Sequence, residues 1–433
     1  MKASILAVGS EMLTPFRVDT NSLLITERLN QIGYDVRVKT VVGDDIDELA
    51  RLLHDMLAWA DLIVITGGLG PTEDDVTRDA VARALDVPLD LDDEIVERIR
   101  KRFASRGMTM PDINRRQAMV PRGAAVLPNA NGTAPGLWLE HGRTAIALLP
   151  GPPREMTPML EAVIRERLAP RASGGGLFRR VLKITGRSES DVDATAAPVY
   201  SQWSSHAVPI TTTILAALGQ IELHLTARAA TRDVADRALD AAVKQLEAVL
   251  ASSVYSTDGR PLEAVIGDML RERKMTIAVA ESCSGGLLAS RLTDVPGSSD
   301  YVERGVVCYS NRAKTELAGV PESLIEAHGA VSEPVADAMA AGIRARAGTE
   351  VGVGITGIAG PGGGTPDKPV GTVAIAVTAG EMSRVRTFHF FGGRDMVKFQ
   401  SAQAAMNMLR LMLLKQDAPF WPATTGDAPV RRG

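Results

Sequence analysis

The sequence predicts an α/β protein: two doubly wound α/β domains joined by a small α+β domain. Three observations carry this. Continuous apolar runs such as Leu62-Ile63-Val64-Ile65-Thr66 have the composition of strands buried on both faces of a parallel sheet. Helical periodicity alternates with such runs at both ends of the chain, over short connections, as a doubly wound sheet requires. Two stretches interrupt the alternation: Ala169-Pro170-Arg171-Ala172-Ser173-Gly174-Gly175-Gly176, a linker by composition, and Ser256-Thr257-Asp258-Gly259-Arg260-Pro261, a second junction. The chain of 433 residues is too long for one hydrophobic core. The expected domains are 1–168, 169–258 and 259–416, with a flexible tail at 417–433 where periodicity stops.

In the first segment, residues 1–9 read as a short buried strand rather than a signal peptide, since no long apolar region or small-residue cleavage site follows. Asp45-Ile46-Asp47-Glu48 resembles a capping box and opens a helix with Ile46, Leu49, Leu53, Met56 and Leu57 on one face. The strand at 62–66 comes next. The middle segment predicts a strand at 179–185, a helix from Ser188, strands near 210–214 and 220–226, and a long amphipathic helix over 232–250. The third segment predicts strands at 276–280, 351–356 and 372–377.

A composition of 45% hydrophobic and 23% charged residues is that of a globular protein. A net charge of −4 gives no general attraction to phosphate backbones, so direct nucleic-acid binding is not expected. No apolar stretch approaches the ~20 residues of a membrane helix. Two cysteines, Cys283 and Cys308, without a CxxC exclude a disulfide framework and suit a cytoplasmic location. The six histidines are scattered, which speaks against a histidine-built zinc site.

Chemistry concentrates in a few motifs. In Ala280-Glu281-Ser282-Cys283-Ser284-Gly285-Gly286 a serine follows a buried strand and precedes helical spacing at Leu287, Leu288 and Leu292. Such a turn exposes Ser282 beside helix N–H groups that could form an oxyanion hole. The same pattern also suits a plain helix cap, and Cys283 is an alternative nucleophile. Lys314, in Tyr309-Ser310-Asn311-Arg312-Ala313-Lys314, is either a base with a lowered pKa or a solvated helix lysine, with Asn311 as the helix cap. Thr356-Gly357-Ile358-Ala359-Gly360-Pro361-Gly362-Gly363-Gly364 permits close backbone approach to an anion, but lacks the lysine of a P-loop. In the first segment, Thr66-Gly67-Gly68-Leu69-Gly70-Pro71-Thr72-Glu73-Asp74-Asp75 leaves the end of the strongest strand, where α/β sheets bind ligands. Its carboxylates suit either a hard divalent ion or an acidic first helical turn.

These motifs together resemble the CinA family. The C-terminal likeness rests on the Ser282 motif, Glu303-Arg304-Gly305, Tyr309-Ser310-Asn311-x-x-Lys314, His328-Gly329-Ala330-Val331-Ser332, the Thr356 loop, Lys368-Pro369-Val370-Gly371-Thr372-Val373 and Gly393-Arg394-Asp395. The resemblance implies a nicotinamide mononucleotide deamidase that yields nicotinate mononucleotide and ammonia without a cofactor. It further implies Ser282 as nucleophile, Lys314 as base and Tyr309 nearby. Cys283, Ser284, Gly285, Thr356, Gly357, Gly360 and Arg394 would line the substrate site, with Arg394 seating the phosphate. Ser284 stands where the family commonly has Thr.

The N-terminal likeness rests on Gly9-Ser10-Glu11-Met12-Leu13, Asp19-Thr20-Asn21, the Gly67 loop, Asn131-Gly132-Thr133-Ala134-Pro135-Gly136 and Leu149-Pro150-Gly151-Pro152-Pro153-Arg154-Glu155-Met156. It is similar to molybdopterin-binding domains, and in the family it implies an ADP-ribose pyrophosphatase dependent on Mg²⁺ or Co²⁺, with K⁺ a further candidate ion. Asp19, Asn21, Gly67, Gly68, Asp74, Asp75 and Arg154 would form that site, with Asp74 and Asp75 as the metal ligands. Pro15 departs from a glycine common among relatives. The middle segment resembles the family's KH-like connector, without an evident Gly-x-x-Gly loop; Arg179, Arg180, Lys183 and Arg187 form a modest basic patch. The resemblance also implies a homodimer, and leaves two rivals: a non-enzymatic competence or recombination adaptor, and a pterin-binding N-terminal domain.

Overall fold

Strands whose alternate residues must both be apolar arise where helices cover both faces of a sheet, and the computed structural model shows this at Leu62–Thr66. It describes residues 1–172, 175–217 and 219–416; the tail expected at 417–433 lies outside the described residues. Contacts group the chain into two compact units, Met1–Phe178 with Arg228–Ala235, and Arg179–Ala227 with Asp236–Gly433.

In the first unit a six-stranded sheet runs in the order Asp35–Val42, Lys2–Val8, Leu62–Thr66, Thr144–Leu149, Gly136–His141, Ala125–Leu127. The first four strands are parallel, and the last two pair antiparallel. Ile63 and Ile65 pack with Leu49, Leu53 and Met56 of the helix Ile46–Leu57. Leu62 and Val64 face the other way, onto Ile25, Leu29, Met156 and Leu160. Asp45 caps the helix as expected, its carboxylate accepting from the Glu48 amide at 2.8 Å.

In the second unit a five-stranded sheet runs Val302–Val307, Ile277–Glu281, Val351–Gly357, Thr372–Ala379, Met382–His389. The first three strands are parallel; the last two form an antiparallel edge. Sequence reading gave no strand at Met382–His389, where Arg384 and Arg386 mask the period on a partly exposed edge. Ile277 and Val279 face the helices Leu262–Arg273 and Arg394–Leu413, while Ala278 and Ala280 face Val335, Met339 and Ile343 of Glu333–Ala347.

The middle residues form a four-stranded sheet ordered Ile210–Ala217, Gln220–Ala229, Gly176–Ile184, Val254–Ser256, with helices Glu189–Tyr200 and Arg232–Leu250. By contacts, Arg179–Ala227 of the middle segment groups with Asp236–Gly433, while Arg228–Ala235 groups with the first unit. Tyr255 is part of the same core as Leu262, Ile266 and Met406. The buried Arg410 guanidinium donates to Ser252 O and to Val254 O. Gly175, in the stretch expected to be a linker, is tightly seated: at φ +78° it has no room for a Cβ, which would lie 2.1 Å from Ala229 O. Three of the four residues of the basic patch are paired with carboxylates, Arg180 with Asp240, Lys183 with Glu222 and Arg187 with Asp191. No helix among the described residues is long and apolar enough to cross a membrane.

Candidate active sites

The strand Ile277–Glu281 ends at Ser282, whose amide donates to Ile355 O at 2.9 Å and so extends the sheet by one residue. The chain then turns through Gly285 (φ +64°) and Gly286 (φ +90°), left-handed conformations that suit glycine. Ser282 is not the helix cap that its local pattern allows. The helix Leu287–Thr293 has Gly286 at its N-cap, and the Glu281 carboxylate accepts from Leu288 N at 3.0 Å and Ala289 N at 2.8 Å. Glu281 is fully buried, so its two amide partners replace lost hydration. The helix amides expected to face a ligand are thus spent. The amides of Cys283 and Ser284 turn to the Cys283 sulfur, and among the described residues the Gly286 amide has no backbone acceptor.

Lys314 lies in the helix Asn311–Ala318, capped by Ser310, whose hydroxyl accepts from Ala313 N at 3.1 Å; Asn311, expected as the cap, is the first helical residue. The Lys314 side chain turns inward and is only 2% exposed. Its Nζ is 3.2 Å from Ser282 Oγ and 3.2 Å from Cys308 O. No carboxylate lies within ion-pair distance among the described residues. Burial holds its pKa below the ordinary lysine value, favouring the neutral amine that a base requires. Burial acts oppositely on the thiols: Cys283 is pushed up to about 12, and Cys308 is raised. Burial thus disfavours the thiolate that a cysteine nucleophile requires.

Arg394 opens the helix Arg394–Leu413. It donates from Nη1 to Gly360 O at 2.8 Å and from Nη2 to Tyr309 OH at 2.9 Å. It thereby ties the glycine loop to the segment leading to Lys314. Thr356 is buried and donates to Ala330 O at 2.7 Å, bracing its strand end. Ser284 is fully buried, and its hydroxyl has no hydrogen-bond partner among the described residues.

In the first unit a cleft of about 680 Å³ opens at the carboxyl ends of the parallel strands. Gly67 (φ +101°) has no space for a Cβ, which would lie 2.2 Å from Val8 O. Thr77 Oγ1 donates to Gly67 O at 2.8 Å, and the buried Arg78 donates to Leu69 O and Gly70 O at 2.8 and 2.7 Å. Burial lowers the Arg78 pKa to about 10. Asp75 serves this loop, accepting from Gly70 N at 2.6 Å, Thr72 N at 2.8 Å and Thr72 Oγ1 at 2.6 Å. Asp19 accepts from Ser22 N at 3.0 Å, and Asn21 donates to Gly151 O at 2.7 Å. Asp74 is exposed, and its proximity to the Thr72 hydroxyl, whose proton goes to Asp75, together with a backbone amide holds its carboxyl below the usual value. No group of three or more His, Cys, Asp or Glu side chains placed to hold a metal occurs among the described residues. Asp75, with three protein donors on its oxygens, does not fit the ligand role expected of it.

Three domain families match in order: the probable molybdopterin binding domain over residues 4–170, the damage-inducible protein CinA KH domain over 179–256, and the CinA C-terminal domain over 259–413. A CinA-like protein of Koribacter versatilis is 47% identical over 418 residues, covering 96% of this chain and 100% of that protein. The chain belongs to the CinA family. A putative competence-damage inducible protein of Moorella thermoacetica is 43% identical over 411 residues, covering 94% of this chain and 98% of its own. A solved CinA structure from Thermoplasma acidophilum, described as of unknown function, is 34% identical with a TM-score of 0.36, covering 38% of this chain and 98% of that one.

Within this CinA chain, the structure brings Ser282 and Lys314 into contact, and joins Tyr309, Gly360 and Arg394 around one guanidinium. In the first unit Asp19, Asn21, Gly67, Gly68, Asp74 and Asp75 line the cleft, whereas the Arg154 side chain is 81% exposed and does not. Sequence reading omitted Glu11, Arg17, Asp44 and Glu155, all of which line it. Glu11 and Glu155 stand inside the motifs at 9–13 and 149–156, which mark them in the sequence. Arg17 and Val18 follow Pro15 in the loop that departs from the family pattern, and no sequence signal marked them. Glu281 was also missed as a cap, because its helix contacts lie seven and eight residues downstream.

Proposed function

We propose that the chain is an amidohydrolase that deamidates nicotinamide mononucleotide, using Ser282 and Lys314. The observation that carries this is a buried, carboxylate-free lysine amine 3.2 Å from a serine hydroxyl at a strand end. Ser282 Oγ bonds to the amide carbon as its proton passes to Lys314 Nζ. An amide of the 283–286 turn receives the developing oxyanion. The C–N bond breaks, and Lys314 returns the proton to the departing ammonia. Water then adds to the acyl-serine ester, giving its proton to Lys314, which reprotonates Ser282 as the carboxylic product leaves. With purified protein, Ser282→Ala and Lys314→Ala should each lower ammonia release by roughly a thousandfold or more. Near-normal turnover in either variant would sink the mechanism.

The first unit's cleft suits a nucleotide with phosphates, and we read it as an ADP-ribose pyrophosphatase site. Its dimensions fall within the usual range for small-molecule pockets. Its carboxylates do not form a metal site by themselves, so no catalytic step is assigned to an ion here. The match to a molybdopterin-binding family favours a second reading, pterin binding. Incubating the Ser282→Ala protein with ADP-ribose, with and without Mg²⁺ or Co²⁺, decides between them: AMP release supports the first, and pterin binding without AMP the second.

A further inference from the structure

Resting on the deamidase reading above, we propose that Lys398, and not Arg394, supplies the charge that seats the substrate's phosphate. Arg394 acts in this proposal as a positioning residue: two of its five N–H donors hold Gly360 O and Tyr309 OH, whereas among the described residues Lys398 holds nothing that a phosphate would displace. Withdrawing them to bind a phosphate would release the glycine loop from the Tyr309 segment. Lys398 lies four residues further along the same helix, and so on the same face. Its Nζ is 3.7 Å from where a Cβ on Gly285 would stand, three residues after the nucleophile. Gly285 is exposed, so the ammonium lies against solvent-accessible backbone of the turn that carries Ser282. Lys398 itself is half-buried and has no hydrogen bond or ion pair among the described residues. An unpaired ammonium, placed beside the turn that carries Ser282, is complementary to a phosphomonoester whose amide end reaches the nucleophile.

Nicotinamide riboside carries the same amide without the phosphate, which makes it the discriminating probe. In Lys398→Gln the ratio of kcat/KM for nicotinamide mononucleotide to that for the riboside should fall about tenfold or more, with the loss for the nucleotide in KM. Lys398→Arg should restore the ratio. Arg394→Gln should lower kcat for both substrates and leave their ratio near wild type. A ratio preserved in Lys398→Gln, or one that collapses in Arg394→Gln instead, overturns the assignment. If the wild-type protein releases no ammonia from either compound, the deamidase reading fails. Calorimetric binding of the nucleotide and the riboside to the Ser282→Ala and Ser282→Ala/Lys398→Gln proteins still decides the role of Lys398. A tenfold loss confined to the nucleotide supports it, and equal affinities overturn it.

Discussion

A lysine amine that is 2% exposed has given up most of the hydration of its charged form, and Lys314 receives no carboxylate in return. Its partners are a hydroxyl and a carbonyl, so the neutral amine is the state that the surroundings tolerate. Two outcomes follow at this scale. The ascending limb of the kcat/KM profile for ammonia release should report an ionisation below the ordinary lysine value, and Lys314→Arg should not restore activity, since arginine stays protonated. Between the lowered folded pKa and the ordinary value of 10.5, the unfolded chain holds a proton that the folded chain has lost. Stability therefore rises with pH across that window. Lys314→Met should be more stable than wild type at neutral pH, with a difference that shrinks as the pH approaches 10.5, measured by urea unfolding at each pH. Cys283, whose thiol is pushed up to about 12, should resist alkylation at pH 8 in the native protein and react once it is unfolded.

At the scale of the element, the turn around Ser282 depends on a carboxylate that looks like ordinary strand sequence. Glu281 replaces the usual serine or aspartate cap and secures the helix Leu287–Thr293 to the strand that leads into Ser282. Glu281→Gln keeps one acceptor and turns an NH2 toward an amide. The expected cost is about 2 kcal/mol, from the worth of a buried hydrogen bond to a charged group. Urea midpoints would read that cost, and faster hydrogen exchange at Leu288 and Ala289 would localise it. This element also shows what the sequence could and could not convey. The strand at 62–66 was legible because burial on both faces demands an unbroken apolar run. The Asp45 cap was legible because its partner, Glu48, is three residues away. Ser282 was ambiguous because a strand–serine–glycine pattern is compatible with both a cap and a nucleophile. The structure excludes the cap, which falls to Gly286, and brings Lys314 to Ser282 from 32 positions away, a partner no local pattern could announce. Asp75 misled for a related reason: carboxylates beside glycines suit metal ligation and loop bracing equally, and here the donors are Gly70 and Thr72.

Across the whole molecule, the segment boundaries visible in composition and the boundaries of cohesion differ. The strand Val254–Ser256 belongs by sequence to the middle segment, yet Tyr255 lies in the core of the last segment, with Leu262, Ile266 and Met406, and Arg410 reaches back to two of the middle segment's carbonyls. Arg410 is 3% exposed, and burial lowers its pKa to about 10. Its remaining support is Asn407 Oδ1, one turn earlier on the same helix. Replacing it with alanine leaves Ser252 O and Val254 O without this donor and opens space beside Tyr255. The expected cost is about 2–3 kcal/mol, the penalty for unsatisfied buried polar groups. The residues that bear it all lie in Arg179–Ala227 and Asp236–Gly433. The transition assigned to that unit should therefore move to lower urea in Arg410→Ala. The transition of Met1–Phe178 should stay in place, because distant sites without shared partners contribute independently. Tryptophan fluorescence can follow both, through Trp203 in the second unit and Trp59 and Trp138 in the first. A variant in which Trp203 and Trp138 report the same displaced midpoint would show that the chain unfolds as one cooperative body.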